Sequence, residues 1–298
     1  MNQIANHWED YECIDTGNGE KLERWNQIIL RRPDPQVLWP IDHHNSLWNR
    51  PHAHYHRSSK GGGHWEYKQN IPQQWNVSYK GLTFKVSPTG FKHTGLFPEQ
   101  AANWDFMMDC ISKAKREIRV LNLFAYTGGA TMACAYANAS EVVHVDASKG
   151  MVAWAKENMH LSHLQDRKIR FIVDDVLKFV AREKRRGRTY HAIIMDPPSY
   201  GRGPNGEIWK LEEQLYPLIS ACLEILDDNP LFFLVNSYTT GLSPTILHNL
   251  LSSTIQKKYQ KGYIQAGEIG LPITKTNTIL PCGIYGRWIS QDTSTTKK

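Results

Sequence analysis

The chain has 298 residues, 41% of them hydrophobic, 11% aromatic and 21% charged, a mixture that excludes disordered, collagen-like and disulfide-framework readings. No stretch approaches the roughly 18 uninterrupted apolar residues of a membrane span, and residues 1–15 mix charge with Trp8 and Tyr11 instead of carrying a signal peptide's apolar run. Thirty-five basic against 29 acidic side chains leave a net charge of +6, compatible with a polyanionic partner, and five scattered cysteines without a Cys-x-x-Cys pair point to reduced thiols in the cytoplasm.

The length suggests two domains, and the texture changes near residue 90. Residues 1–90 alternate aromatic and β-branched runs with turn signals at Thr16-Gly17-Asn18-Gly19, Arg32-Pro33-Asp34-Pro35, Gly61-Gly62-Gly63 and Lys80-Gly81. Ile28-Ile29-Leu30 and Leu82-Thr83-Phe84-Lys85-Val86 read as strands, and Asn18-Gly19 as a tight hairpin turn. This stretch is expected to form a small β-rich domain with long loops. Several of the ten tryptophans fall in polar surroundings in the first 110 residues, and they are assigned to a core. His43, His44, His52, His54, His56 and His64 invite a zinc reading. No carboxylate or thiolate sits among them at ligand spacing along the chain, so a polar loop is preferred and no metal site is expected.

Residues 91–298 read as a second domain of strand–helix units. Apolar runs at 118–124, 142–146, 169–173, 190–195 and 231–235 are the expected strands, with helices over 130–139, 149–161 and a segment ending in the basic run 184–188. Ile208, Leu211, Leu215, Leu218, Cys222 and Ile225 recur at spacings of 3 and 4, which predicts one buried helical face, divided by Pro217. Ile264 and the run 279–289 add two closing strands. Repeated strand–helix units imply a parallel sheet with helices on both faces.

Ligands of such sheets bind outside the carboxyl ends of the strands. The first strand ends in Phe124-Ala125-Tyr126-Thr127-Gly128-Gly129-Ala130, a glycine turn that allows close backbone approach. Phe124 and Tyr126 occupy the first two glycine positions of Gly-x-Gly-x-x-Gly, which disfavours a nicotinamide site. The second ends in Asp146, suited to both hydroxyls of a ribose or to capping the next helix, a role that Ser148 could also fill. The third ends in Asp174-Asp175-Val176, where one acid can accept from the exocyclic amine of adenine while the other caps the following helix. The fourth ends in Asp196-Pro197-Pro198. Two prolines forfeit two donors and leave carbonyl acceptors beside a carboxylate, a cup for a planar substrate bearing N–H groups, with Tyr200 placed to stack on it. An ordinary proline-stiffened loop is the competing reading.

These residues resemble the class I S-adenosylmethionine (SAM) methyltransferases, and within them the bacterial large-subunit (23S) ribosomal RNA methyltransferases and their relatives. The resemblance covers about residues 91–288. It is carried by Phe91-Lys92-His93-Thr94-Gly95-Leu96-Phe97-Pro98-Glu99-Gln100, the glycine turn, Val145-Asp146-Ala147-Ser148, Asp174-Asp175-Val176 and Asp196-Pro197-Pro198-Ser199-Tyr200-Gly201-Arg202-Gly203. It implies a Rossmann-like seven-stranded α/β sheet, SAM as cofactor, and RNA, ribosomal above all, as substrate partner. It assigns Phe124, Tyr126 and Gly128 to the methionine and sulfonium part, Asp146 to the ribose and Ala147 to the adenine surroundings. Asp175 takes the adenine amine, Val176 offers its backbone N–H, Gln100 helps close the site, and Asp196 with Pro197, Pro198 and Tyr200 forms the catalytic motif. Residues 1–90 would be the RNA-binding or substrate-binding module that this group appends.

The cysteine used for base-carbon methylation is missing from this pattern. Ser199 and Asn236-Ser237-Tyr238 stand where the resembling enzymes hold it, so no thiolate is placed to form a covalent adduct. A base nitrogen is therefore the expected acceptor. The run 184–188 and Arg202 either contact phosphates or, for the run, form a solvated helix end. Rival readings are a methyltransferase for a small molecule or protein, a non-catalytic RNA-binding relative, and a dehydrogenase.

Overall fold

Two tight turns organise the amino-terminal strands. After the short β1 (Gln3–Ile4), Asn18-Gly19 joins β2 (Tyr11–Gly17) to β3 (Glu20–Trp25). Asn18 and Gly19 have φ of 50° and 75°, both left-handed, as two-residue hairpin loops require. β4 (Ile28–Pro33) continues the antiparallel meander, β5 (Ala53–Arg57) pairs parallel to β4, and β6 (Gly63–Tyr67) folds back antiparallel on β5. A second left-handed pair, Lys80 and Gly81, closes the separate hairpin of β7 (Trp75–Tyr79) and β8 (Leu82–Val86). The computed structural model describes residues 2–42, 44–58 and 62–291. The expected turn at Gly61-Gly62-Gly63 therefore lies partly, and His43 wholly, outside the described residues.

The chain forms two compact units, one of residues 4–102 and 269–282, the other built mainly on 103–268 and the chain from 283. In the first, Leu22, Trp25, Leu30, Phe84 and Val86 are buried, and Tyr11 meets Trp25 edge-on with ring centroids 4.6 Å apart. Glu23 is buried without being stranded. Arg32 donates to both its oxygens at 2.6 and 2.9 Å, and the Tyr11 hydroxyl donates at 2.7 Å. These partners hold the Glu23 carboxyl down at about 2 although burial pushes it up.

Strand pairing also overturns an expectation about the histidines. Register places Glu66 directly opposite His54, so a carboxylate does stand within reach of the histidine row. Two residues past His64 along the chain, it faces His54 only through the ladder.

The second unit alternates as expected. Helix α1 (Ala101–Lys113) enters it, followed by β9 (Arg119–Leu123), α2 (Gly129–Tyr136), β10 (Glu141–Asp146), α3 (Lys149–Leu161), β11 (Ile169–Val173), α4 (Val176–Arg185) and β12 (Ala192–Met195). A short hairpin of β13 (Tyr200–Arg202) and β14 (Ile208–Lys210) precedes α5 (Leu211–Cys222), β15 (Phe232–Ser237) and α6 (Pro244–Leu251). The chain ends in two long strands, β16 (Gly262–Ile273) and β17 (Thr278–Ser290), each divided between the two units. The unit's sheet runs β11-β10-β9-β12-β15-β17-β16, and the first five strands are parallel. β17 runs antiparallel to β15. Counted from β9 as strand one, the order is 3-2-1-4-5-7-6, with its topological switch between β9 and β12.

The helical expectation over 208–225 needs correction. Ile208 lies in β14 and is 50% exposed, and the helix starts only at Leu211. Three-and-four spacing extended by chance into a strand, which the periodicity could not distinguish. Pro217 does not divide α5 either. Pro217 and Glu213, whose carbonyl the missing N–H would have met, both face outward, where solvent can take that carbonyl. Leu215, Leu218, Ile219 and Cys222 keep the buried face intact.

The basic run forms the exposed carboxyl end of α4, the second of its two expected readings, and several of its cations are also ion-paired. Lys184 pairs with Glu224 at 3.3 Å and Arg186 with Glu183 at 3.0 Å, while Arg188 bridges Glu141 and Glu183. Glu183 and Glu141 are buried, so Arg186 and Arg188 neutralise them. Among the described residues no helix is long and apolar enough to cross a membrane.

Candidate functional site

The loop after β9 is strained at alternate residues. Phe124, Tyr126 and Gly128 have φ of 53°, 52° and 87°. The two aromatic residues thus adopt the left-handed backbone that glycine supplies in other cofactor loops, at a cost of about 1–2 kcal/mol each. Surrounding groups hold them there. Asp146 Oδ2 accepts from the Tyr126 N–H at 2.8 Å, Ala125 N–H donates to the Val145 carbonyl at 3.0 Å, and the buried Asn158 amide donates to the Thr127 carbonyl at 2.9 Å. Gly128 has no substitute. A Cβ there would lie 3.1 Å from Ala155 and 3.2 Å from Met132 in addition to the left-handed φ. At Gly129 a Cβ would meet the Trp104 ring at 2.5 Å.

Beneath the loop runs a buried polar chain. Asn122 donates to Thr131 Oγ1 at 3.0 Å, and that hydroxyl lies 2.9 Å from His144 Nδ1. Burial pushes the His144 imidazole down to about 3, so the ring is neutral at physiological pH.

The ends of β10 and β11 resolve the capping alternatives. Ser148 caps α3, its hydroxyl accepting from Met151 N–H at 3.3 Å. Asp146 is left to the loop, and its second oxygen accepts from Ser148 N–H at 2.8 Å. Burial raises its carboxyl above the ordinary range, against the lowering effect of these two N–H donors. Ala147 beside it is half-buried. Asp175 caps α4, spending one oxygen on Lys178 N–H at 3.0 Å. Its other oxygen has no protein partner among the described residues. Asp174 is ion-paired to Arg182. Val176, buried, opens α4.

The end of β12 departs from the expected cup. Asp196 is half-buried, Pro197 buried, and Pro198 exposed. The Pro198 carbonyl is not a free acceptor, because the Trp209 indole N–H donates to it at 2.7 Å. Ser199 Oγ lies 2.7 Å from Thr239 Oγ1, tying this loop to the one after β15. Tyr200 is 54% exposed, and Arg202 on the same strand is exposed as well.

Trp209 was not anticipated from the sequence, yet it joins the two central loops. It is buried, meets Phe124 edge-on with centroids 4.8 Å apart, and holds Pro198. Lys178 in the first turn of α4 pairs with Glu207 of the hairpin. Asp174 N–H donates to the Asp146 carbonyl at 3.1 Å. Direct contacts therefore bring the four strand ends together. Gln100 is buried in the turn Pro98–Gln100, within the other unit. Burial also pushes the Cys222 thiol up, so the helix-face cysteine offers no thiolate.

This sheet order with a glycine turn at its switch point defines an α/β fold of nucleotide-cofactor enzymes. Residues 50–213 match the S-adenosylmethionine-dependent methyltransferase family. A crystal structure of a SAM-dependent methyltransferase from Agrobacterium tumefaciens is 35% identical, with 97% of this chain and 93% of that one covered and a TM-score of 0.92. The chain belongs to the S-adenosylmethionine-dependent methyltransferase family, whose cofactor is SAM. A methyltransferase complexed with SAH, SMU.776, shares the fold at 18% identity, over 95% of this chain and 76% of that one, with a TM-score of 0.70. Among curated relatives, the ribosomal RNA large subunit methyltransferase K/L of Magnetococcus marinus is 30% identical over 64% of this chain, and that of Shewanella frigidimarina 33% over 50%. The chain spans 26% and 20% of their respective lengths.

Proposed function

We propose that the chain transfers a methyl group from SAM to a base nitrogen of RNA, with ribosomal RNA as substrate, in the cytoplasm. One observation supports this most: the glycine turn, Asp146, Asp174-Asp175 and Asp196-Pro197-Pro198 close four neighbouring parallel strands and are linked by direct contacts. The residues fit the cofactor's chemistry. Gly128 supplies the left-handed φ that turns the loop at the strand end, Asp146 offers acceptor oxygens to a ribose, and Asp175 keeps one oxygen for an amine. Phe124 and Tyr126 line the methionine side, with Ala147 and Val176 at the adenine. Gln100 rests on resemblance alone. When bound, SAM supplies an electrophilic methyl on its sulfonium.

The protein's task is then orientation, which can contribute about 7–11 kcal/mol. Asp196 and the Pro197 carbonyl accept from the N–H groups of the acceptor amine, aiming its lone pair. The Pro198 carbonyl fixes Trp209 instead. Tyr200, exposed at the loop's outer end, stacks on the extruded base. The curated relatives named for ribosomal RNA support the substrate class. Residues 1–90 serve as the RNA-binding module.

Tritiated methyl transfer from SAM to ribosomal RNA of deletion cells tests the proposal. Label in RNA is expected, and label only in protein or small molecules would overturn the substrate. Asp196→Ala should lower transfer at least about 1,000-fold while SAM affinity stays within about threefold. Equal losses of both would remove the role given to Asp196.

A further inference from the structure

We propose that strands β5 and β6 carry a binding site for a zinc-class divalent cation, with His54, His56 and Glu66 as ligands. Ladder register assembles it. His54 stands opposite Glu66 and His56 opposite His64, and alternate residues of a strand share a face, so these four side chains leave the same side of the hairpin. One ligand atom from each of His54, His56 and Glu66 lies within 4.8 Å of the other two, and among the described residues they form the one such group. His56 Nε2 and Glu66 Oε2 are 2.8 Å apart, and the His54 and His56 rings have centroids 4.0 Å apart. A tetrahedral zinc with bonds of about 2.0–2.1 Å spaces its ligand atoms about 3.3 Å apart, so side-chain movements of about an ångström complete the site on a fixed backbone.

The outer contacts fit the same assignment. Glu20 Oε1 lies 2.6 Å from His54 Nε2, and Arg31 Nε donates to the other oxygen of that carboxylate at 2.7 Å. A metal-bound imidazole commonly gives its second nitrogen to a carboxylate, which sets its tautomer. Nδ1 of His54 is then the ligand and Glu20 a positioning residue. An ordinary cross-strand pair would need only His56 and Glu66, whereas here a third, buried donor with its own carboxylate support adjoins them. Two imidazoles and one carboxylate suit zinc, cobalt(II) or nickel(II), while calcium and magnesium prefer all-oxygen sets. His56 and Glu66 have side chains 39% and 48% exposed, so the cation enters from solvent. His64, whose ring stacks on His56 at 5.4 Å, is placed to take a fourth position.

The test uses the full untagged chain, stripped with chelator and titrated with cobalt(II) and then zinc. One equivalent per chain is expected, with the visible d–d absorption of a low-coordinate cobalt centre that zinc bleaches. His56→Ala and Glu66→Gln should each weaken cobalt affinity about 100-fold, and Glu20→Gln about 10–100-fold. His163→Ala should leave affinity unchanged. Circular dichroism of each variant separates lost ligation from lost folding, and no reading depends on methyl transfer. Absence of saturable uptake, or uptake unchanged in both ligand variants, would overturn the site.

Discussion

The loops that leave β9 and β12 stand on either side of the switch point and are held in opposite ways. The first carries three left-handed residues held by Asp146 and by the buried Asn158 and Val145 carbonyl. The second is stiffened by its own prolines, with Tyr200 and Ile208 beyond them 54% and 50% exposed. The difference suits their proposed ligands. A cofactor of fixed shape rewards a rigid cradle, whereas an RNA base must arrive from solvent and needs an open, adaptable margin.

Trp209 is the sharpest point at which to break this comparison, because it touches both loops. Trp209→Ala should destabilise by about 3–5 kcal/mol in urea unfolding, in keeping with loss of a buried indole. It should also weaken SAM binding and methyl transfer together. A normal SAM affinity in that variant would show the two loops to be independent. Gly128→Ala adds a strained φ and a tight Cβ, and should cost about 2–3 kcal/mol with SAM affinity falling at least tenfold by calorimetry.

Acid should undermine the first loop through His144. His144 titrates near 3 in the fold against an ordinary 6.5, so its contribution is fully present above about pH 6.5 and is lost as pH falls towards 3. Between pH 7 and 5 the loss should be about 2 kcal/mol. His144→Gln removes that share of the pH dependence, and an unchanged urea midpoint difference between wild type and variant across this range would refute the assignment. The smallest structural effect is expected at Tyr200. Tyr200→Ala should shift stability by less than about 0.5 kcal/mol while weakening RNA binding about tenfold, and Tyr200→Phe should restore it.

The parallel strands were legible because strands covered on both faces read as unbroken apolar runs such as Ala192-Ile193-Ile194-Met195. Asp146 and Asp175 were legible as strand ends, though which of them capped a helix was settled only by Ser148 and Lys178. Trp209 was hidden because Ile208 continued a helical spacing into a strand. The handedness of Phe124 and Tyr126 was hidden because non-glycine residues give no sign of a positive φ. The pairing of Glu66 with His54 was hidden for another reason: strand register joins residues that chain distance separates. Helix α1 left a trace that could have been read, in the buried Trp104, Met107 and Ile111 at helical spacing.

Strand β6 ends its ladder, so one row of its amides and carbonyls has no neighbouring strand among the described residues. Such a rim invites another chain to add itself, and polar or charged side chains are the usual deterrent. His64, Glu66 and, just beyond, Lys68 supply it here. The same hairpin face must therefore stay hydrophilic for solubility at high concentration. Replacing His64 and Glu66 together by valine should raise self-association in sedimentation experiments, whatever becomes of its chemistry.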